Sequence, residues 1–178
     1  RRSVSGGCIN QGYKISGGDR ALLSGVANRT YFVKLNQASQ VEMFAAEALG
    51  LEQMLATKTI RVPKPLCWGA ADDSSYIVME WLEFGSASSQ SWQEMGCQLA
   101  AMHKAGMASQ FGWEKNNTIG STPQINTWTS NWADFFAEHR IGYQLKLANR
   151  NGGSFPDRDR VVEVIREKLS DRDPQPSL

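Results

Sequence analysis

"TYFVKLNQASQVEMFAAEALG", residues 30–50, is the stretch on which the reading of this chain turns. Residues 30–35 alternate as a strand does, with Tyr31, Val33 and Leu35 on one face and Phe32 and Lys34 on the other. After a polar break, Val41 to Thr57 reads as a helix with Ser39 as its N-cap and Gly50 as its only glycine. On a helical wheel Glu47 falls inside the arc held by Met43, Phe44, Leu51 and Met54, whereas Glu42 and Glu52 fall outside it. A carboxylate in an apolar stripe and a cation in a buried-looking strand are each costly unless paired. The economical arrangement pairs Lys34 with Glu47 across strand and helix. The alternative has Lys34 snorkelling from an edge strand and Glu47 pointing out at a helix end.

Around this stretch the chain has two halves. Up to residue 82, further short alternating segments cover 13–16, 66–70 and 75–79, bounded by Gly17-Gly18, Pro63-Lys64-Pro65 and Asp72-Asp73-Ser74. Beyond it the spacing is helical. Trp92, Met95, Leu99 and Met102 form one stripe, and Trp132, Phe135, Phe136, His139, Tyr143 and Leu147 form a second. A shorter helix covers Arg158 to Leu169, and "EFGSASSQS", residues 83–91, is the polar joint. These patterns predict an α+β chain, with a strand-rich lobe over 1–82 and a helical lobe over 83–178. Ligand sites favour clefts between such lobes.

Composition excludes several classes. The chain has 178 residues, 41% apolar and 21% charged, and a net charge of +1. Such a balance gives no reason to expect nucleic acid or an acidic membrane surface as partner. No apolar run approaches the roughly 20 residues of a membrane span, and no signal-peptide core opens the chain. Cys8, Cys67 and Cys97 are odd in number and far apart, and His103 and His139 are the only histidines. This pattern suits neither a disulfide framework nor a metal site, and a reducing cytoplasm is the expectation. Cys67 and Cys97 read as small buried hydrophobes, and His103 and His139 as packed histidines. Trp68, Trp81, Trp113 and Trp132 read as core or lobe-interface aromatics. The opening on Arg1 and the close on "SDRDPQPSL" suggest a piece of a longer chain.

The order of features then matters. A glycine-rich turn, "SGGCINQG", precedes the strand lysine and the helix glutamate, and "YIVMEWL" leads into the polar joint. That is the order of the N-terminal lobe of a protein-kinase-like fold, in which a loop covers ATP phosphates and a lysine held by a helix glutamate contacts them. Glycines let the backbone N–H groups approach phosphate closely. Glu80 and Leu82 would offer a backbone C=O and N–H to the adenine edge. The turn matches neither G-x-G-x-x-G nor the P-loop pattern, and "FVKL" is only a loose V-A-I-K.

The set "GGCINQGYKI", "YFVKLN", "MFAAEALGLEQM", "RVPKPLCWG", "YIVMEWLEF", "NTIGSTPQINTW" and "WADFFAEHRIGYQLKLA" resembles the fructosamine kinase family over nearly the whole chain. The resemblance implies ATP- and Mg²⁺-dependent phosphorylation of the 3-hydroxyl of ketosamines, free or protein-bound, which reverses glycation. It implies that Lys34 is the phosphate-binding lysine and Glu47 its partner. Gly6, Gly7 and Cys8 fall in the phosphate loop, and Glu80 and Leu82 in the hinge. Gln124 and Asn126 would bond sugar hydroxyls, and Trp128 would stack on the sugar. The family's His-Gly-Asp catalytic loop and its metal ligands do not occur in the sequence. They are expected beyond Leu178, so that this chain holds no catalytic or metal residue and is inactive alone. Other readings are an aminoglycoside- or choline-type kinase and a non-catalytic binding module. Cys8, a thiol among glycines, is an expected oxidation site and a possible link in a redox-dependent homodimer.

Overall fold

The computed structural model describes residues 1–5, 7–17 and 29–178. Contacts divide the chain into two compact units, Arg1–Ala105 and Gly106–Leu178. The change in composition near residue 82 marks the end of the sheet, and the helix that follows groups with the first unit.

The first unit is built on an antiparallel sheet of five strands: β1 (Arg2–Val4), β2 (Gln11–Ser16), β3 (Thr30–Gln37), β4 (Pro65–Ala71) and β5 (Ser74–Glu80). Their order across the sheet is β1-β2-β3-β5-β4. The β4–β5 hairpin turns at Asp72, whose φ of 51° lies in the left-handed region that aspartate tolerates. Helix α1 (Val41–Thr57) is inserted between β3 and β4 with the bounds its periodicity predicts. It starts from Gln40, which makes no side-chain cap. Ser39 belongs to a short 3₁₀ turn, Ala38–Gln40, and is not the N-cap expected of it. Phe44, Ala48 and Leu51 of α1 pack on Ile77 and Met79 of β5, with Phe32, Met43, Met54 and Val62 around them. Phe44 and Ile77 are wholly buried, and side chains of that size contribute about 1.5–3 kcal/mol each on leaving water. This core fixes the pitch of α1 over one sheet face, the face that carries Phe32 and Lys34.

Helix α2 (Ser89–Ala105) buries only Met102 of its predicted stripe; Trp92, Met95 and Leu99 stay exposed. Cys67 and Cys97 are exposed too, against the expectation that both are buried. Cys67 stands on β4, the edge strand, where Leu66 and Trp68 are also open to solvent. Trp68 is therefore not a core aromatic.

In the second unit a small hairpin, β6 (Asn117–Ile119) with β7 (Thr122–Gln124), precedes a long helical run. That run is α3 (Trp132–Phe135), a π-helical segment (Phe136–Gly142) and α4 (Tyr143–Arg150), followed by α5 (Arg158–Leu169). Asn131 caps its start by accepting from the Asp134 N–H. Phe111, Trp132, Phe135, Phe136 and His139 form a tilted aromatic cluster, and Val162 of α5 packs against Gly142. His139 is thus a packed histidine. Arg166 of α5 ties Asp134 (2.8 Å), Glu138 (2.5 Å) and Glu163 together. Among the described residues no helix is long and apolar enough to cross a membrane.

Candidate nucleotide-binding site

Lys34 and Glu47 meet. The Nζ of Lys34 stands 2.5 Å from Glu47 Oε1, with both side chains about a quarter exposed (28% and 26%). The exposure decides what the pair can do. A sealed pair would serve only the fold, whereas an ammonium with three donors and one partner seen here keeps capacity for a ligand. Glu47 reaches it because α1 carries Phe44, Glu47, Ala48 and Leu51 along one stripe, and the apolar members hold the helix against the sheet.

Beside the pair opens a cavity of about 700 Å³. Its lining includes Gly7, Cys8, Lys34, Glu80 and Leu82, which the sequence places far apart. Glu47 lies behind Lys34, outside the lining. Gly6 is outside the described residues. Gly7 has φ +82°, a conformation side chains rarely adopt, and no atom lies within 4 Å of the point where its Cβ would sit. On β2, Gly12 lies directly across from Lys34, and a Cβ there would come within 3.2 Å of the Phe32 ring and the Val4 carbonyl. Glycine in a strand interior marks such a close approach.

At the other end of the cavity the backbone leaves β5. The Glu80 N–H donates to the Lys64 carbonyl at 2.9 Å, and its carboxylate accepts from Arg61 at 2.6 Å. The bond from Arg61 holds the Glu80 carboxyl below its ordinary value. Trp81 is fixed between Phe32, edge-on at 6.3 Å, and Lys14, whose ammonium lies 4.2 Å over the indole. Its Nε1–H donates to Glu83 at 2.6 Å, and that bond, with a second from Lys14, lowers the Glu83 carboxyl. Arg61 and Phe32 also line the cavity and were not foreseen from the sequence, whereas Gly12 closes the glycine-rich turn and Trp81 lies in the stretch read as the hinge.

The second unit treats its candidates differently. Asn126 is 3% exposed, and its amide is consumed within the chain. Nδ2 donates to the Lys115 carbonyl and to Asn117 Oδ1, both at 2.9 Å, and Oδ1 accepts from Arg140 at 2.7 Å. The Asn126 side chain is turned inward and holds the loop. Arg140 also donates to the Ile125 carbonyl at 2.6 Å and lies 4.5 Å over the Phe135 ring, five residues back. The π-helical segment permits that stacking, since i→i+5 bonding brings such residues onto one face. Burial lowers the guanidinium's pKa. Gly112, at φ +135°, lets Trp128 and the Asn126 carbonyl pack within 3 Å of where its Cβ would be. Trp128 is 43% exposed, and Gln124 is half-buried on β7.

The cavity's chemistry fits a nucleotide: a cation, a glycine turn with room for phosphate, an apolar wall and a backbone turn at the far end. Among the described residues no group of three or more His, Cys, Asp and Glu side chains could hold a metal ion.

Comparison with known proteins identifies the family. The family model described as fructosamine kinase matches residues 1–178. A probable ketoamine kinase of Synechocystis sp. is 58% identical over 178 residues, covering 100% of this chain and 57% of that protein. The chloroplastic protein-ribulosamine 3-kinase of Arabidopsis thaliana is 48% identical over 155 residues, covering 85% of this chain and 44% of that protein. The chain therefore spans about half the length of the curated relatives it matches. A crystal structure named "Putative fructosamine-3-kinase", from Haemophilus somnus 129PT, superposes with a TM-score of 0.85 at 29% identity over 99% of this chain and 57% of that one. The α+β, protein-kinase-like fold expected from the order of elements is the fold found.

Proposed function

The chain belongs to the fructosamine kinase family, and from that premise we propose that its first unit binds ATP and that the whole protein phosphorylates the 3-hydroxyl of ketosamines. The observation that carries the proposal is the Lys34–Glu47 pair at the wall of a 700 Å³ cavity. In this reading Lys34 Nζ contacts the phosphates and Glu47 keeps the ammonium aimed at them. The Gly7–Cys8 backbone lies over the phosphates. Phe32 packs on the base, and the Glu80 C=O and Leu82 N–H meet its polar edge. Mg²⁺ carried with the nucleotide would supply charge stabilisation to the transferring phosphate. The γ-phosphoryl group passes to the sugar hydroxyl, leaving ADP and a 3-phosphoester.

For the sugar side, Gln124 and Trp128 are the candidates, with Asn126 holding the loop that presents them. Cys8, exposed in the phosphate loop, is proposed as an oxidation site able to link two copies. A disulfide-linked band that survives Cys8→Ala on a non-reducing gel overturns that assignment. The test of function is the full-length protein incubated with ATP, Mg²⁺ and a panel of fructosamines, ribulosamines and aminoglycosides. Ketosamine-dependent ADP release with phosphate on the 3-hydroxyl is expected. Turnover on aminoglycosides alone, or on nothing, overturns it. The 178-residue chain by itself is expected to bind nucleotide without transferring phosphate; Mg²⁺-dependent turnover by it would refute this.

A further inference from the structure

Where the β2–β3 ladder stops, a side-chain bond continues it. The last ladder pair toward the glycine turn is Gln11 with Leu35. One step further, Asn36 Nδ2 donates to Asn10 Oδ1 at 2.6 Å and stands 3.4 Å from the Ile9 carbonyl. The Asn36 oxygen accepts from the Gln37 N–H at 2.7 Å, which fixes the amide's orientation and turns its nitrogen toward the turn. Asn36 lies two residues after Lys34 and so shares its sheet face. Ile9 and Asn10 line the large cavity, whereas Asn36 lines a separate, smaller pocket behind the turn.

Residues 7–9 are exposed. A turn of this kind offers N–H groups to phosphate only if something holds its height over the sheet, since an untethered turn must be ordered when ligand binds. We propose that Asn36, acting through Asn10, is a positioning residue that sets the Gly7–Asn10 backbone relative to Lys34 Nζ and so strengthens the grip on a nucleotide's phosphates but not on its base. The inference rests on the nucleotide reading of the cavity.

Its test is calorimetric titration of the full-length protein, and of its Asn36→Ala, Asn10→Ala and double variants, with ATP and with adenosine. Each single substitution is expected to raise the ATP Kd about tenfold, and the double substitution to raise it no further than Asn36→Ala does, because the Asn36–Asn10 bond is lost in all three. The adenosine Kd is expected to stay where it is. Equal weakening of ATP and adenosine would mean that the pair merely supports the fold, and an unmoved ATP Kd would mean that it does nothing for phosphate; either overturns the proposal. Asn10→Ala changes a partly exposed turn residue, so a result stands even where Asn36→Ala does not fold. Wild-type protein that binds neither ligand overturns the nucleotide reading itself, and is told apart by that.

Discussion

The cavity of the first unit and the hairpin loop of the second are both lined with the polar residues that a sequence reading selects, yet they use them in opposite ways. Among the described residues Lys34 forms an ion pair with Glu47 alone, and it keeps over a quarter of its side chain in solvent. Asn126 is 3% exposed, and its amide is bonded to Lys115, Asn117 and Arg140. A polar side chain with spare donors at a cavity wall is equipped to take a ligand. One whose donors and acceptor are all engaged in burial is equipped to hold a loop. The comparison yields a rule for this chain: the capacity a group has left over, and not its chemical type, separates binding residues from supporting ones.

The sharpest way to break the comparison is Lys34→Met. In the full-length protein, loss of a cation aimed at the transferring phosphates is expected to lower kcat/KM about a hundredfold or more. Unfolding in urea should move by about 1 kcal/mol or less, because the pair is partly solvated. A variant that loses several kcal/mol in urea but, while still folded, keeps its rate would make Lys34 the supporting residue and reverse the contrast.

Asn126→Ala is the converse. It removes the partners of Arg140 Nη2 and Asn117 Oδ1 together, and an unsatisfied buried group costs about 1–3 kcal/mol. Urea unfolding is expected to show a loss of about 2 kcal/mol or more, while the Kd for ATP stays unchanged. Arg140→Ala should destabilise similarly, and the double variant should cost less than the sum, since the two share one bond. Additive losses would show that the two act separately.

These outcomes also explain how far the sequence could be read. The bounds of α1 followed from a run broken by no Pro and only one Gly, and the meeting of Lys34 with Glu47 from two buried-looking charges, each of which needs a partner. The cavity residues at the two ends, Gly7 and Leu82, followed from the order of elements. The loop-holding bonds of Asn126 were not legible because a sequence displays hydrogen-bonding capacity without displaying who uses it; its donor partner, Arg140, arrives through a π-helical turn that 3.6-residue spacing does not anticipate. Strand β1 has three residues, too few for alternation to register. Cys67 looked apolar enough for a core, but its strand lies at the sheet edge, and edge position is a property of topology.

The smallest effect concerns Arg61 and Glu80, a pair that sits between the two extremes. Their side chains are 60% and 37% exposed, yet they meet at 2.6 Å where the backbone leaves β5. Hydrogen bonding from Arg61, aided by the Lys64 N–H, sets the Glu80 carboxyl below its ordinary 4.5. A depressed folded-state value means that the unfolded chain binds the proton more readily. The pair's contribution is therefore full above about pH 4.5 and fades as pH falls through the depressed value. Arg61→Ala should accordingly be less stable than wild type near pH 7, with the gap closing in acid and shrinking in 1 M salt, where the Debye length is about 3 Å. Urea midpoints for both proteins across the pH range measure the gap directly. A gap that widens in acid would mean that Arg61 acts through packing and not through the charge of Glu80, placing it with Asn126 among the supporting residues.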